Sequence, residues 1–515
     1  MIRLAGRISG LPGPLRGALC FAAGLLAALG LSPIGAWPLA FLGFPLFLSL
    51  LAGAKRGFLL GWLFGLGYFS LALHWIAFAF LVEAETYLWM MPFMLGILAG
   101  GMALYWGLAA LAAKWLGGRG ASLALAFAAS LGAAEWLRGH LFTGFPWAAP
   151  GQMVDAMGGL AQLCSVIGMT GLTLLIVLWA SLPYAFLADQ RRAVRVGMVG
   201  VALLLPLSWG WGAWRLAEAK DSNLPGLAFR IIQPNVPQEQ KWREDNARAI
   251  FEDLLRLSGM PTAERPDGIG GVTHLLWPES AVPFLIDESP GARAELAPLL
   301  GGRTVLITGA IRVDRTVVPE PSVHNGVIVF DGTAEPVARY DKWRLVPGGE
   351  FLPLGWLLEP MGFRRVVETP GSFTAGPGPR TLKLPGGLTV APLVCYEVIF
   401  PHRLLDPAAR PQAIVNVTND GWFGRSIGPY QHLAQTRLRA IEQGLPVLRA
   451  ANTGVSAVID SHGRIREQLP LGAQGVIDAA VPEALDSTFY GRWGDLSLLL
   501  IILAVFATGI HLKQL

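Results

Sequence analysis

The sequence predicts a multi-pass α-helical membrane domain of about eight spans joined to a single α/β domain. Of the 515 residues, 53% are hydrophobic and only 15% are charged, and the mean hydropathy of +0.48 exceeds that of ordinary soluble enzymes. The apolar residues are concentrated before residue 223 and after residue 487, whereas the stretch between them has the composition of a soluble protein. We therefore expect an N-terminal membrane domain over residues 1–222, a soluble domain over residues 223–487 and a C-terminal membrane helix within residues 488–515.

Eight stretches are long and apolar enough to cross the hydrocarbon core of a bilayer. They cover residues 17–36, 37–54, 57–82, 86–113, 121–139, 160–188, 193–214 and 496–512. The fifth stretch ends in Glu135, Trp136 and Arg138, and such charges are better placed at a membrane boundary than in hydrocarbon. This stretch therefore fits a membrane span less well than the other seven.

The Lys and Arg residues of the short loops predict the orientation of the chain, because cytoplasmic loops are enriched in them. They fall in alternate loops, as Arg3, Arg7, Arg16, Lys55, Arg56, Lys114, Arg119, Arg191, Arg192, Arg195 and Lys513. Both termini are therefore expected in the cytoplasm. Seven crossings then place residues 223–487 on the far side, which is the periplasm for a bacterial inner membrane. The net charge of +4 reflects these loops and gives no sign of a nucleic-acid partner.

The soluble stretch alternates short β-rich runs with helix-like segments, which is an α/β pattern. The β-rich runs cover residues 227–232, 274–277, 305–308, 327–330, 388–394 and 413–417, and the helix-like segments cover residues 247–257 and 431–444. A single sequence does not give the order of these strands in a sheet.

Three residues with reactive side chains lie at or just beyond predicted strands. Glu279 follows the apolar run in HLLWPES, Lys342 follows the hairpin-like VIVFDGTAEPVARYDK, and Cys395 ends the run in GLTVAPLVCYE. Side chains at strand ends converge on a crevice in α/β domains. Glu279 would act as general base, Lys342 would stabilise a thiolate and an oxyanion, and Cys395 would be the nucleophile. Taken singly, they could instead be a helix-start carboxylate, a surface charge and a buried structural thiol.

Cys395 is the one cysteine of the soluble stretch. Cys20 and Cys164 lie in apolar runs, so no disulfide framework is expected. A lone thiol in an oxidising compartment is open to damage, which favours a functional role for Cys395. The three cysteines and eight histidines show no metal-binding spacing, so neither a metal nor another cofactor is expected.

Four motifs follow one another in the soluble stretch: WPES, DKWRLVPGGEFLP, LVCYE and TNDGWFG. Together with FAAGLLAALGLSPIGAWPLAFL and EWLRGHLFTGFPW in the apolar region, they resemble the bacterial apolipoprotein N-acyltransferases, membrane members of the nitrilase superfamily. The resemblance implies a nitrilase-like αββα sandwich for the soluble domain. It also places the catalytic Glu, Lys and Cys of the family on Glu279, Lys342 and Cys395.

Seven further residues are expected to support the site or bind substrate, namely Trp242, Glu350, Tyr396, Glu397, Trp147, Asn419 and Trp422. From the residues alone, Trp242 could equally pack at a domain edge, and Trp147 could equally be an interfacial anchor. The two glutamates could instead be solvated or form structural ion pairs.

The chain departs from the family pattern at two positions, since Arg344 stands in place of His and Gly348 in place of Phe. Arg344 keeps a donor and a positive charge but cannot exchange protons as His does, and Gly348 removes an aromatic wall near Glu350. Both changes bear on substrate fit rather than on reaction type. The segments 345–378 and 422–430, rich in Gly, Pro and aromatic residues, are candidate lids.

The resemblance implies a ping-pong reaction. An acyl chain from a membrane phospholipid would form a thioester on Cys395 and pass to the N-terminal amine of the diacylglyceryl-cysteine of an apolipoprotein, the last step of lipoprotein maturation. The expected partners are the phospholipid, the apolipoprotein and the bilayer, without nucleic acid, and the chain is expected to be a monomer. The alternatives are a membrane-tethered amidase or nitrilase whose thioester is opened by water, and a non-catalytic lipid or lipoprotein carrier.

Overall fold

The computed structural model describes residues 11–317, 321–352, 355–358, 360 and 373–514. Helices occupy all eight apolar stretches. The long α-helices are α1 (Gly13–Ala28), α2 (Trp37–Ala52), α3 (Gly57–Ala72), α4 (Met91–Gly117), α5 (Gly120–His140), α6 (Cys164–Ala188), α7 (Arg192–Ala217), α8 (Ala247–Gly259), α9 (Pro290–Leu300), α10 (Gly428–Gln443) and α11 (Leu496–Gln514). The first seven and α11 form the apolar helical region.

Within the described residues, five helical stretches are individually long and apolar enough to cross a membrane. They are Ala84–Gly117, Gly120–Thr143, Gly158–Ala188, Arg192–Ala217 and Leu496–Gln514. A sixth arises if α3 and the following 3₁₀ helix His74–Leu81, which are bent by 49°, form one span. The 16-residue helices α1 and α2 are about 24 Å long at 1.5 Å per residue, shorter than the roughly 30 Å hydrocarbon core. The structure therefore supports a multi-pass membrane protein, and the number of eight spans stays a prediction.

Glycines let α1 and α3 pack at close range. A Cβ atom on Gly24 would stand 2.0 Å from the carbonyl oxygen of Phe64, and one on Gly67 would stand 2.1 Å from that of Phe21. Small residues at such crossings give membrane helices the backbone contact that apolar burial alone does not supply. Replacing either glycine by alanine would force these two helices apart.

Twelve strands within the described residues form two six-stranded sheets. The strands are β1 (Asn223–Gln233), β2 (His274–Trp277), β3 (Val305–Asp314), β4 (Ser322–Phe330), β5 (Pro336–Asp341), β6 (Leu382–Lys383), β7 (Thr389–Val394), β8 (Ala413–Thr418), β9 (Val447–Ala451), β10 (Ser456–Ile459), β11 (Ile465–Leu469) and β12 (Gly475–Pro482). The first sheet has the order β12-β1-β2-β3-β4-β5, and the second has the order β11-β10-β9-β8-β7-β6.

The two sheets pack face to face and carry helices on their outer faces. Their shared core includes Phe229 and Ile307 from the first sheet and Val390 and Val415 from the second. Helices α8 and α9 cover the outer face of the first sheet. Helix α10 covers the outer face of the second sheet, whose apolar residues belong to the same cluster as those of the membrane helices. The predicted αββα sandwich is confirmed, and one outer layer is docked on the apolar helical region.

Strand direction brings several loops to the same edges of the sheets. Strands β1, β2 and β3 are parallel, and β5 has the same direction because the pairs β3–β4 and β4–β5 are both antiparallel. In the second sheet β7, β8 and β9 are parallel. The loops that follow β2, β5 and β7 carry Glu279, Lys342 and Cys395, as predicted. The loops after β8 and β9 carry Asn419 and Asn452.

Candidate active site

Glu279 lies two residues beyond β2, where the backbone presses against β3. The N–H of Ala281 donates to the carbonyl of Gly309 at 2.9 Å, and a Cβ atom on Gly309 would stand 2.4 Å from the Cα of Glu279. Only a glycine at position 309 allows this approach. The Glu279 carboxylate is buried, and burial raises its pKa, while the charge of Lys342 acts in the opposite direction. The result is a carboxylate with more basicity than an exposed glutamate has.

The ammonium group of Lys342 is held between two carboxylates. Its Nζ lies 2.9 Å from Oε1 and 2.8 Å from Oε2 of Glu350, and 3.9 Å from Oε1 of Glu279. Burial acts to lower the pKa of Lys342, but the attraction of Glu350 and Glu279 outweighs it, so the pKa is raised. Lys342 is therefore a buried cation.

Asn325, on β4, joins the two carboxylates. Its Nδ2 donates to Oε1 of Glu279 at 2.8 Å and to Oε1 of Glu350 at 2.9 Å. Its Oδ1 is buried without a hydrogen-bond partner in the described part of the chain. The amide therefore fixes the spacing of the carboxylates and leaves one acceptor free within the site.

Cys395 follows β7 directly and opens a short 3₁₀ helix with a φ of +48°, a left-handed conformation that is strained for cysteine. Burial raises the pKa of its thiol, the negative charge of Glu279 raises it further, and Lys342 opposes both. The resting thiol is therefore protonated, and a base must take its proton before it can attack. Both Glu279 and Lys342 act on the thiol electrostatically, so the structure brings the three predicted residues to one site.

A buried imidazole on α10 holds the backbone turn at Cys395. Nε2 of His432 lies 3.2 Å from the carbonyl oxygen of Cys395, and its Nδ1 lies 2.7 Å from Oδ1 of Asp420. Arg449, on β9, pairs with Oδ2 of Asp420 at 2.8 Å. Burial lowers the pKa of His432, and the negative charge of Asp420 acts in the opposite direction. A neutral imidazole has one N–H, which it can donate either to the Cys395 carbonyl or to Asp420.

A second buried lysine lies behind the general-base candidate. Nζ of Lys241 donates to the backbone carbonyl of Glu279 at 3.0 Å. Burial lowers the pKa of Lys241 to about 8, with Glu279 and Cys395 acting in the opposite direction. Lys241 thus fixes the backbone of Glu279 and adds a titratable cation near the thiol.

The comparisons with known proteins cover both halves of the chain. Residues 23–182 match the model of the apolipoprotein N-acyltransferase N-terminal domain, and residues 302–489 match that of carbon-nitrogen hydrolases. The apolipoprotein N-acyltransferase of Rhodopseudomonas palustris is 40% identical over 504 residues, which are 95% of this chain and 94% of that protein. The chain belongs to the apolipoprotein N-acyltransferase family.

The chain is also similar to a second member of the apolipoprotein N-acyltransferase family and to a solved structure. The family protein of Brucella melitensis is 40% identical over 531 residues, which are 99% of this chain and 98% of that protein. Among solved structures, an amidase of the nitrilase superfamily from Nesterenkonia has a TM-score of 0.37 and 18% identity, covering 55% of this chain and 99% of the amidase.

In this member of the N-acyltransferase family, the two residues after Cys395 connect the candidate active site to the loop after α5 and to the turn after β5. The hydroxyl of Tyr396 donates to the carbonyl of Gly144 in the loop after α5, at 3.0 Å. Glu397 is buried and accepts from the hydroxyl of Tyr340 at 2.8 Å, the N–H of Trp343 at 2.9 Å and the N–H of Val394 at 2.8 Å. Within the described part of the chain, Glu397 is thus neither solvated nor ion-paired, and it ties the turns after β5 and β7 together.

Trp147 lies inside the protein, on the loop that follows α5. Its Nε1 donates to Oε1 of Gln431 at 2.8 Å, and its ring centroid lies 5.2 Å from that of His432. Arg138 supports this loop by donating to the carbonyl of Trp147 at 2.9 Å, and its own charge is paired with the buried Glu135 at 2.5 Å. Burial excludes a lipid-facing anchor role for Trp147. The charges at the end of the fifth stretch are thus satisfied within the protein.

The other expected residues lie around the site in different ways. Asn419 is buried, and its Nδ2 donates to Oε1 of Gln238 at 2.7 Å while its Oδ1 accepts from Asn452 at 3.0 Å. Trp422 is half-buried beside this loop. Trp242 is 41% exposed, with its ring 5.9 Å from Nζ of Lys241, so it lies outside the cluster formed by the three predicted catalytic residues.

Gly348, one of the two departures from the family pattern, has a φ of +78° and open space where a Cβ atom would lie. This conformation favours glycine over phenylalanine, so the local backbone accounts for the residue. The candidate lid 345–378 falls partly outside the described residues. The candidate lid 422–430 is described, and it forms the end of a 3₁₀ helix and the start of α10.

Two groups of side chains in the described residues have metal-ligand atoms within 4.8 Å of one another. One is Cys395 with Asp420 and His432, whose carboxylate and ring already bind protein partners. The other is His140, His402 and Asp495, and both oxygens of Asp495 accept from Trp136 and Tyr490. Arginine charges also act on His402, which disfavours a divalent cation there, and we propose no metal.

Sequence reasoning missed Asn325, His432 and Lys241. Each lies within or beside a secondary structure element rather than directly after an apolar run, so none stands out by position. Asp420 belongs to the TNDGWFG motif, in which no feature of the sequence distinguishes it from its polar neighbours. A single sequence shows that each of these positions is polar, but it does not show that the side chain is buried near Glu279, Glu350 or Cys395.

Proposed function

We propose that the chain transfers an acyl chain from a membrane phospholipid, through a thioester on Cys395, to the N-terminal amine of the diacylglyceryl-cysteine of an apolipoprotein. The observation that carries the proposal is a buried thiol under the influence of one basic carboxylate and one fixed cation. The family membership supports N-acylation of apolipoproteins as the overall reaction.

In the first half-reaction Glu279 takes the proton of the Cys395 thiol, and the thiolate attacks the carbonyl carbon of the lipid ester. Lys342 stabilises the tetrahedral oxyanion through its positive charge. The ester C–O bond then breaks, the leaving glycerol oxygen takes the proton from Glu279, and a lysophospholipid departs. Cys395 keeps the acyl group as a thioester.

In the second half-reaction the neutral amine of the acceptor attacks the thioester carbonyl carbon. Glu279 takes a proton from the attacking nitrogen, the C–S bond breaks, and the sulfur leaves with that proton returned to it. The products are an N-acyl amide and the free thiol of Cys395. Glu350 keeps Lys342 in place, and Tyr396 and Glu397 hold the nucleophile turn.

Trp147, Trp242, Asn419 and Trp422 serve substrate binding or support in this proposal. Trp147 packs beside His432 at the junction with the helical region, which suits a supporting role behind the site. Asn419 holds the loop after β8, and Trp242 and Trp422 flank the site from solvent-accessible positions.

We also propose the topology that the sequence predicts. Eight spans, with both termini in the cytoplasm, place the catalytic domain over residues 223–487 in the periplasm of a bacterial inner membrane, between the membrane domain of residues 1–222 and the C-terminal helix within residues 488–515. The distribution of Lys and Arg supports this orientation. The protein acts as a monomer without nucleic acid or cofactor in this proposal.

The test incubates the purified protein with a phospholipid labelled in its acyl chain and measures the intact mass. We expect one hydroxylamine-sensitive acyl adduct that Cys395→Ser abolishes and Cys164→Ser retains, since Cys164 is a buried thiol of α6. Addition of a diacylated lipopeptide should remove the adduct and place the acyl group on the peptide amine. An adduct that decays equally fast without lipopeptide would indicate a hydrolase, and the absence of any adduct would indicate a carrier.

A further inference from the structure

Arg344 is a cation in an unusual position. Its guanidinium carbon lies 3.9 Å from the ring centroid of Phe400 and 4.2 Å from that of Trp343. Its Nη1 is 3.5 Å from the carbonyl of Thr143, and its Nε is buried without a hydrogen-bond partner in the described residues. The guanidinium therefore lies against two aromatic rings, and within the described residues only its Nη1 has a protein acceptor.

Arg403 adds a second positive charge on the same aromatic ring. Its guanidinium carbon lies 5.5 Å from the centroid of Trp343, and the residue is exposed. In the ranges that the structure describes, neither Arg344 nor Arg403 forms a salt bridge with a carboxylate. Two arginines so close together repel each other, and the partly buried one has a desolvation cost that an anionic partner would offset.

Two histidines extend this cluster. The rings of His140 and His402 stack with centroids 3.7 Å apart and planes 16° apart. Burial lowers the pKa of His402 to about 3, and His140, Arg344 and Arg403 contribute by their positive charge. The carboxylate of Asp495 also lies within 4.8 Å of both rings, but its two oxygens accept from Trp136 and Tyr490. The neutral ring of His402 keeps an N–H that can donate to an anion.

The cluster lies where the catalytic domain meets the membrane helices. Thr143 ends the apolar stretch Gly120–Thr143, and its neighbour Phe142 is 91% exposed. Phe400, which stacks on Arg344, lies 5.1 Å from the ring of Tyr396, the residue after the nucleophile. The cations therefore lie at the expected depth of lipid head groups and close to Cys395.

We propose that Arg344 and Arg403, with His140 and His402, bind a phosphate group, and that this is the phosphate of the donor phospholipid whose acyl ester faces Cys395. The planar guanidinium fork matches phosphate oxygens, and arginines that form no salt bridge within the described residues favour an anionic ligand at a membrane boundary. The acceptor of the second half-reaction attacks as a neutral amine, which offers these cations no negative charge. The inference rests on the proposed function, because it assigns a subsite of the same reaction.

The experiment compares two acyl donors that share their acyl chains and differ in phosphate. Labelled phosphatidylethanolamine and labelled diacylglycerol are presented in the same detergent micelles, and the rate of acyl-adduct formation on Cys395 is measured by intact mass. We expect the wild type to react at least about tenfold faster with the phospholipid. The double variant Arg344→Gln/Arg403→Gln should lose this preference while keeping its rate with diacylglycerol.

Three controls make the result specific. Arg380→Gln removes an exposed arginine of the same domain and should retain the preference. Arg344→His alone restores the residue typical of the family and should reduce the preference for the phospholipid while the rate with diacylglycerol stays unchanged. A folding defect would instead lower the rates with both donors. Inorganic phosphate should compete with the phospholipid if the cluster accepts free phosphate, and preference without competition restricts the ligand to the lipid-bound group.

The outcomes separate this inference from the proposed function. Equal rates with both donors in the wild type would overturn the phosphate site and leave the thioester mechanism standing. A preference that persists in the double variant would also overturn it. No adduct from either donor would refute the proposed function and the subsite together.

Discussion

At the scale of single residues, the two carboxylates around Lys342 are not equivalent. Glu350 contacts the ammonium group with both oxygens at 2.8 to 2.9 Å, whereas Glu279 approaches it no closer than 3.9 Å. Glu350 therefore offsets most of the positive charge, and Glu279 retains the basicity that its burial confers. In the proposed mechanism, this difference favours Glu279 as the base and Glu350 as the residue that holds Lys342 in place.

Replacement of Glu350 by glutamine tests that assignment. Lys342 would then turn to Glu279 and lower the pKa of the base, so Glu350→Gln should slow acylation of Cys395 by about 10²-fold. Loss of one partner of a buried pair should lower the free energy of unfolding by about 3 kcal/mol. Glu288→Gln, which breaks an exposed pair with Arg315, should change it by less than about 1 kcal/mol. Unaltered acylation in Glu350→Gln would contradict the assignment.

Replacement of Glu279 by glutamine should affect ionisation and reactivity in opposite directions. Burial, Glu279 and Asp420 raise the pKa of the Cys395 thiol, and Lys342 lowers it. Glu279→Gln removes one cause that raises this pKa, so the pH midpoint for alkylation by iodoacetamide should move down. Acylation from phospholipid should nevertheless fall, because the base is lost.

Lys342→Met provides the matched control for the alkylation measurement. It removes the cation that lowers the thiol pKa, so the alkylation midpoint should move up. If Glu279→Gln moved the midpoint up as well, Glu279 would not be the charge that faces the thiol.

At the scale of elements, α10 connects the nucleophile turn to the membrane helices through polar side chains as well as through its apolar residues. Nε2 of Gln431 donates to the carbonyl of Ala72, at the end of α3, at 3.3 Å. Oε1 of Glu442 accepts from the N–H of Met169, after a kink in α6, at 2.7 Å. Backbone groups freed at such breaks must be satisfied by protein, and α10 supplies the partners.

His432 is the residue of α10 that reaches Cys395, and His432→Gln tests a positioning role. Glutamine lacks the rigid ring that places one nitrogen 3.2 Å from the Cys395 carbonyl and the other 2.7 Å from Oδ1 of Asp420, so the strained turn should lose its fixed geometry. We expect kcat for acyl transfer to fall by about 10- to 100-fold with KM unchanged. The exposed His511 at the end of α11 provides the control His511→Gln. A change confined to KM would assign His432 to substrate binding instead.

Elements and catalytic residues were predictable to different degrees. All six predicted β-rich runs overlap strands, and both predicted helical segments overlap α8 and α10, because short apolar runs and helical periodicity are local properties. The sheet order was not predictable, since β1 pairs with β12 through residues as distant as Asn223 and Pro482. Glu279, Lys342 and Cys395 follow apolar runs directly, whereas Asn325 and His432 lie inside elements and give no such signal.

At the scale of the whole molecule, the catalytic and membrane regions share one apolar core. Buried residues of β7, β8 and α10 belong to the same cluster as those of α1–α6. The Tyr396 hydroxyl and the His432 ring each contact the loop after α5, through Gly144 and Trp147. A change in the packing of this loop therefore acts directly on the nucleophile turn.

The side of the membrane on which this core places the catalytic domain depends on one bent element. The short helices α1 and α2 are consecutive, and two crossings return the chain to its starting side. The catalytic domain therefore lies on the same side of the membrane whether both helices cross it or neither does. The bent pair of α3 and His74–Leu81 is different, since a re-entrant loop there would reverse the sidedness. Lys55 before α3 and Lys114 at the end of α4 lie on the same side of the membrane only if both the bent pair and α4 cross it. Because Lys residues of short loops are enriched on the cytoplasmic side, their positions favour a span for the bent pair.

Labelling of single introduced cysteines decides between these topologies. The native cysteines Cys20, Cys164 and Cys395 are buried, so background labelling in intact cells should be low. Glu85→Cys, in an exposed position beyond the bent pair, should react with a membrane-impermeant maleimide added outside the inner membrane. Lys55→Cys, also exposed, should react only after the inner membrane is permeabilised. Labelling of both positions from the same side would mean that the bent pair re-enters, and the catalytic domain would then lie on the same side as the N-terminus.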